Sequence, residues 1–92
     1  MFMLIVEFEI EPEHSERFDD LVRAQAANSL KLESECHFFE VERRGEQQNH
    51  FVLSEVYTNA AAFDVHLESA HFLEFDSVVS DWTIEKRVRS LE

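Results

Sequence analysis

The chain has 92 residues, with 20 Asp or Glu against 8 Lys or Arg, a formal charge of -12, an apolar content of 45% and nine Phe. That much apolar surface can offset the entropy of ordering, so the acidity does not make a disordered tail. The acidity instead excludes nucleic acid and anionic membrane as partners, because both are bound through clustered Lys and Arg. A single domain spanning 1–92 buries only about 60–65% of the surface its unfolded chain exposes. An oligomer is therefore expected. Cys36 is the only cysteine, which rules out an internal disulfide and a zinc finger and fits a reducing, cytoplasmic setting. The run Phe2-Met3-Leu4-Ile5-Val6 has no basic residues before it and is too short to span a bilayer, so it reads as a strand.

Along the chain, Leu4, Val6, Phe8 and Ile10 alternate with residues that become charged at Glu7 and Glu9, the period of a strand with one buried face. Pro12, in an acidic setting of Glu11, Glu13 and Glu16, starts a helix running from about His14 to about Glu33. Its apolar stripe is Phe18, Leu21, Val22, Ala26, Ser29 and Leu30. A second strand runs from Cys36 or His37 to Arg44, with Phe39, Val41 and Arg43 on one face and Phe38, Glu40 and Glu42 on the other. The loop Gly45 to Asn49 turns the chain into a third strand, His50 to Tyr57. Thr58 or Asn59 caps a helix through Ala60-Ala61-Ala62-Phe63, and Ser69 caps a further helix whose Phe72, Phe75, Val78 and Val79 share a face. A fourth strand runs from Trp82 to Val88, and Lys86, Arg87 and Arg89 read as its solvated end. The order β-α-β-β-α-β predicts an α+β, ferredoxin-like split sheet with helices on one face. Apolar residues on both sides of the first two strands predict that a second copy covers the other face.

Three groups of residues can carry chemistry. Asn28 and Ser29 lie late in the first helix, where capping or plain surface roles are as common as function. Glu55 shares a strand face with Phe51, Leu53 and Tyr57, which implies a paired carboxylate or one whose pKa is raised by desolvation. His66 follows Phe63 by three residues and faces the sheet, and His71 opens the next helical turn; either can move protons near neutral pH. The same two histidines with Glu55 could form a two-His-one-carboxylate metal set, but no tighter ligand spacing supports one and no metal is expected. Cys36 reads as a small buried apolar residue.

The segment Leu53-Ser54-Glu55-Val56-Tyr57-Thr58-Asn59-Ala60-Ala61-Ala62-Phe63 through His66 and His71-Phe72 resembles the antibiotic biosynthesis monooxygenase (ABM) domain family. Asn28-Ser29, Glu33 and Cys36-His37-Phe38-Phe39-Glu40-Val41 resemble the family's middle segment. One departure is local: Glu33-Ser34-Glu35-Cys36 stands where the family usually has Glu-Pro-Gly-Cys. The resemblance implies a dimeric α/β barrel and a small monooxygenase of the quinol type that uses no cofactor, deprotonates a quinol-like or phenolic aromatic, and lets the anion react with O2. It implies His66 or His71 as base, Glu55 as the group that orients or charge-balances it, and Asn28, Ser29, Tyr57 and Phe39 as substrate contacts. Two alternatives remain: a proton-transfer isomerase of the autoinducer-2-phosphate isomerase type, disfavoured by the acidic charge, and a non-catalytic dimeric binding module. Haem degradation is disfavoured because the first strand has no Asn.

Overall fold

A computed structural model describes residues 1–91. Strand β1 (Phe2–Ile10) leads through a 3-10 turn at Pro12–His14 into helix α1 (Ser15–Leu32). Strands β2 (Cys36–Arg44) and β3 (His50–Tyr57) follow, then helices α2 (Ala60–Glu68) and α3 (Ala70–Val79), a second 3-10 turn at Ser80–Trp82, and strand β4 (Thr83–Ser90). The four strands form one antiparallel sheet in the order β2-β3-β1-β4. This is the ferredoxin-like α+β arrangement that the element order predicts.

The alternation read from β1 and β3 sets the layering. Leu4, Val6, Phe8 and Ile10 meet Phe51, Leu53 and Tyr57 on the helix-covered face, and all of them are buried. Phe18 of α1 drops into this face, with ring centroids 4.6 Å from Phe51, 5.1 Å from Phe8 and 5.9 Å from Phe75 of α3. Tilted aromatic packing of this kind adds to the burial energy of the rings. Helix starts fall where side chains can satisfy the free N–H groups: Asn59 accepts from Ala62 N at 2.9 Å, and Ser69 accepts from Phe72 N at 3.3 Å.

Two local features depart from simple alternation. The β2–β3 register shifts between Cys36 and Phe38, so Cys36 and Phe39, three residues apart, are both buried on the helix face. The reversal at Ser34-Glu35 needs no left-handed residue; positive φ among the described residues occurs at Gly45 and Gln48, in the β2–β3 loop. The amide of Cys36 bonds to Glu33 O, and Thr58, just past β3, ties the reversal down, because its amide bonds to Glu35 O and its hydroxyl donates to the Glu35 carboxylate.

The opposite face of the sheet carries no helix. Met3 and Phe38 are 44% and 41% exposed there, with Ile5, Val52 and Val56 half-buried beside them. Toward the other end the face becomes charged, with Arg87 3.3 Å from Glu7. Among the described residues no helix is long and apolar enough to cross a membrane.

Candidate functional site

The site grows from the C-terminal half of α1. Val22, Gln25, Ala26 and Ser29 form the buried side of that helix, and the same side continues to Glu33 at its C-cap. Gln25 and Ser29 are polar residues in an apolar stripe, and both are nearly inaccessible to water. Opposite them, the break between α2 and α3 aims His66 and His71 back at α1. His66 is 3% exposed.

Glu33 joins the two histidines. Its Oε2 lies 2.8 Å from His66 Nδ1 in a hydrogen bond and 2.7 Å from His71 Nε2. The second contact is close but not aligned as a hydrogen bond, and His71 Nε2 is a buried nitrogen without a hydrogen-bond partner. The other His71 nitrogen, Nδ1, is 3.3 Å from Gln25 Oε1. A carboxylate can only accept, so Nδ1 of His66 holds its proton toward Glu33, and Nε2 is left as the acceptor nitrogen of a neutral ring. Burial pushes the His66 pKa down and outweighs Glu33, which pushes it up.

A small cavity of ≈ 40 Å³ sits between the sheet and α1, α2 and α3. Phe8, Phe39, Phe63, Phe72 and Phe75 wall it, and Gln25, Glu55, His66 and Lys86 bring polar groups to it. Glu55 accepts a hydrogen bond of 2.8 Å from the Tyr57 hydroxyl. Burial raises its carboxyl to about 7, against the lowering effects of the Tyr57 bond and the Lys86 charge. Burial also raises the Tyr57 phenol, helped by the negative charge of Glu55. The Cys36 thiol is pushed up to about 11, first by burial and then by Glu33 and Glu55, which makes it a poor nucleophile.

The residues singled out in the sequence are thus brought together unequally. Glu55, His66 and Phe39 line the cavity. His71 stands behind His66, with ring centroids 5.9 Å apart, and lines an outer cleft together with Glu33. Tyr57 supports the site from beneath: it holds Glu55, and its ring lies 5.4 Å from that of His66. Ser29 is fully buried with an unpartnered hydroxyl and does not line the cavity. Asn28 lies on the exposed side of α1, because the helix phase that buries Gln25 and Ser29 turns it to solvent.

The carboxylate that meets both histidines is Glu33, not Glu55. Glu33 stands in the sequence as a turn residue, yet it continues the 25, 29, 33 spacing of one helix side. Lys86 is not merely a solvated strand end. Its register opposite Phe8 puts it on the helix face, and its Nζ lies 5.3 Å from the Phe8 ring and 5.6 Å from that of Phe72. A Lys flanked by Ile84 and Val88 at strand spacing is the signal that marks it. Gln25 carried an equivalent signal as a polar residue at a core position of α1, and its Nε2 is buried without a partner.

Comparison with known proteins gives the family and the fold. The model of the antibiotic biosynthesis monooxygenase family matches residues 1–77. Among solved structures, a Nitrosomonas europaea protein provisionally named an antibiotic biosynthesis monooxygenase is 25% identical, with a TM-score of 0.92 over 100% of this chain and 97% of its own. A similarly named Bacteroides thetaiotaomicron protein is 20% identical, with a TM-score of 0.93 over 99% of this chain and 87% of its own. One from Caulobacter crescentus is 14% identical, with a TM-score of 0.90 over 98% of this chain and 86% of its own. The curated proteins gave no match. The chain belongs to the antibiotic biosynthesis monooxygenase family.

Proposed function

We propose that the protein is a homodimeric monooxygenase that oxidises a quinol-like aromatic with O2 and without a cofactor, and that His66 is the base. The observation that carries this reading is the cavity itself: five Phe rings surround a histidine whose proton is held on the far side by Glu33. In this arrangement His66 Nε2 takes the phenolic proton, and Gln25 Nε2, buried and unpartnered, donates to the resulting phenolate oxygen. Lys86 adds positive charge at the cavity wall, and Glu55 balances it. The phenolate then gives an electron to O2, and the radical pair combines to a hydroperoxide. Loss of water leaves a hydroxyquinone. One oxygen atom enters the product and the other leaves as water, with all four electrons supplied by the quinol and the newly oxidised carbon.

The cavity is far smaller than the roughly 300 Å³ typical of ligand sites, so substrate binding requires its wall to move. Lys86, an exposed side chain whose Nζ lies across Phe8 and Phe72, is the one best able to swing away. The test is incubation of the protein with a panel of hydroquinones under ¹⁸O2. Incorporation of one labelled atom per product is expected. Conversion of a carbonyl substrate under strict anaerobiosis, with no oxygen-dependent product, would establish the isomerase alternative instead.

The dimer in this proposal uses the helix-free sheet face. Met3, Phe38, Ile5, Val52 and Val56 form an apolar patch on it of the kind monomers rarely leave open. Phe38→Asp is expected to convert the protein to monomer in analytical ultracentrifugation while wild type sediments as a dimer. A monomeric wild type would remove the dimer from the account.

A further inference from the structure

We propose that Glu33, His66 and His71 form a site for one divalent transition-metal ion of the zinc class, and that the bound ion switches His66 off. The second half rests on His66 acting as base; the first does not. One carboxylate oxygen and two imidazole nitrogens converge here, all within 4.8 Å of one another. They come from the end of α1 and from both sides of the α2–α3 break, so the fold and not a mobile loop holds them.

The unpartnered nitrogen points to a cation. Gln25 Oε1, 3.3 Å from His71 Nδ1, can accept only if the ring carries its proton there, and that tautomer turns the lone pair of Nε2 toward Glu33 Oε2 at 2.7 Å. Two electron pairs at that distance repel unless a positive charge lies between them. Gln25 also gives His71 the outer hydrogen bond that metal-bound histidines characteristically make. An ion with bonds of about 2.0–2.2 Å needs ligand atoms somewhat further apart than Glu33 now stands from the two rings, which a small withdrawal of its carboxylate supplies.

Access and charge favour the same occupant. Glu33 and His71 line an outer cleft of ≈ 560 Å³ that also carries Glu35 and Glu68. In a chain of formal charge -12 such a cleft concentrates cations. The ion and the substrate thus approach from different sides, the ion through the cleft and the substrate through the apolar cavity.

The switch follows from proton bookkeeping on His66. A neutral imidazole has one proton and one lone pair. As base, the ring keeps its proton on Nδ1 toward Glu33 and its lone pair on Nε2 toward the cavity. An ion on Nδ1 takes the lone pair there, so the proton moves to Nε2 and the base is lost.

The test is calorimetric titration of chelator-treated full-length protein with Zn²⁺, with Co²⁺ absorption as a spectroscopic probe. One ion per chain is expected, together with the visible bands of a Co²⁺ site of low coordination number. His71→Ala and Glu33→Ala should lose the stoichiometric site, Gln25→Ala should weaken it by about 10–100-fold, and Glu68→Gln should keep one ion per chain. Circular dichroism checks that each variant is folded, and His71→Gln replaces His71→Ala if the latter is not. No stoichiometric binding by wild type, or equal binding by the folded His71 variant, overturns the site. Saturating Zn²⁺ should suppress quinol oxidation and a chelator should restore it. An ion bound with turnover unchanged, or turnover that requires the ion, overturns the switch. Stoichiometric binding by a protein that oxidises no quinol supports the site and removes the oxygenase reading.

Discussion

His66→Ala is expected to lower kcat for quinol oxidation by about 10²–10⁴-fold, the range a positioned general base contributes. His71→Ala should cost far less. The two histidines touch the same carboxylate oxygen, but only His66 lines the apolar cavity, while His71 lines the outer cleft. Glu33→Gln is the more informative partner variant. An amide can donate as well as accept, so Gln opposite Nδ1 favours the tautomer with its proton on Nε2, which cannot act as base toward the cavity. In hydrolases with a carboxylate–histidine pair the matching carboxylate-to-amide change costs about 10⁴-fold for the same reason. KM should change little in either variant, since neither residue supplies the apolar walls. Steady-state oxygen uptake measures all three, and an equal loss in His66→Ala and His71→Ala would reassign the base.

Glu55→Gln is expected to stabilise the protein at alkaline pH by about 3 kcal/mol. Burial raises the Glu55 carboxyl from its ordinary value of 4.5 to about 7, and each pH unit of such a shift corresponds to about 1.4 kcal/mol. The folded state holds the proton more tightly than the unfolded chain, so stability falls as pH rises from about 4.5 and levels off above about 7. Gln keeps the acceptor for the Tyr57 hydroxyl and removes the charge. The variant and the wild type should therefore be close near the acidic end of the window and separate above neutrality. Urea unfolding at matched protein concentration across that range measures the difference, and parallel curves at every pH would show that Glu55 stays solvated or paired.

Both effects sit at residues whose strand or helix position was readable in the sequence but whose partners were not. The alternation of β1 and β3 and the caps at Asn59 and Ser69 are local signals, and local signals set the layering of the sheet and the break that presents His66 and His71. Glu55 stood out because a carboxylate in the row Phe51, Leu53, Tyr57 has nowhere polar to go. Glu33, Gln25 and Lys86 are different. Each is polar on an otherwise apolar face, but what it meets lies on another element, and no period along one segment reveals it. Glu33 was further hidden by its place in the turn before β2. Asn28 and Ser29, joined by resemblance, are set apart by the 3.6-residue helical period, which exposes the first and buries the second. The shift at Cys36–Phe38 was equally invisible, since a bulge changes which residues share a face without changing their identity.

Proton abstraction from a phenol by His66, held by Glu33, can be read without turnover from anaerobic binding of 4-nitrophenol. The ionised and neutral forms of this ligand differ in absorption, and without O2 no turnover follows. Wild type is expected to bind it as the phenolate at a pH below that at which it ionises in water, and His66→Ala and Glu33→Gln to bind it as the neutral phenol. The same ionisation curve for the bound ligand in all three proteins would contradict it.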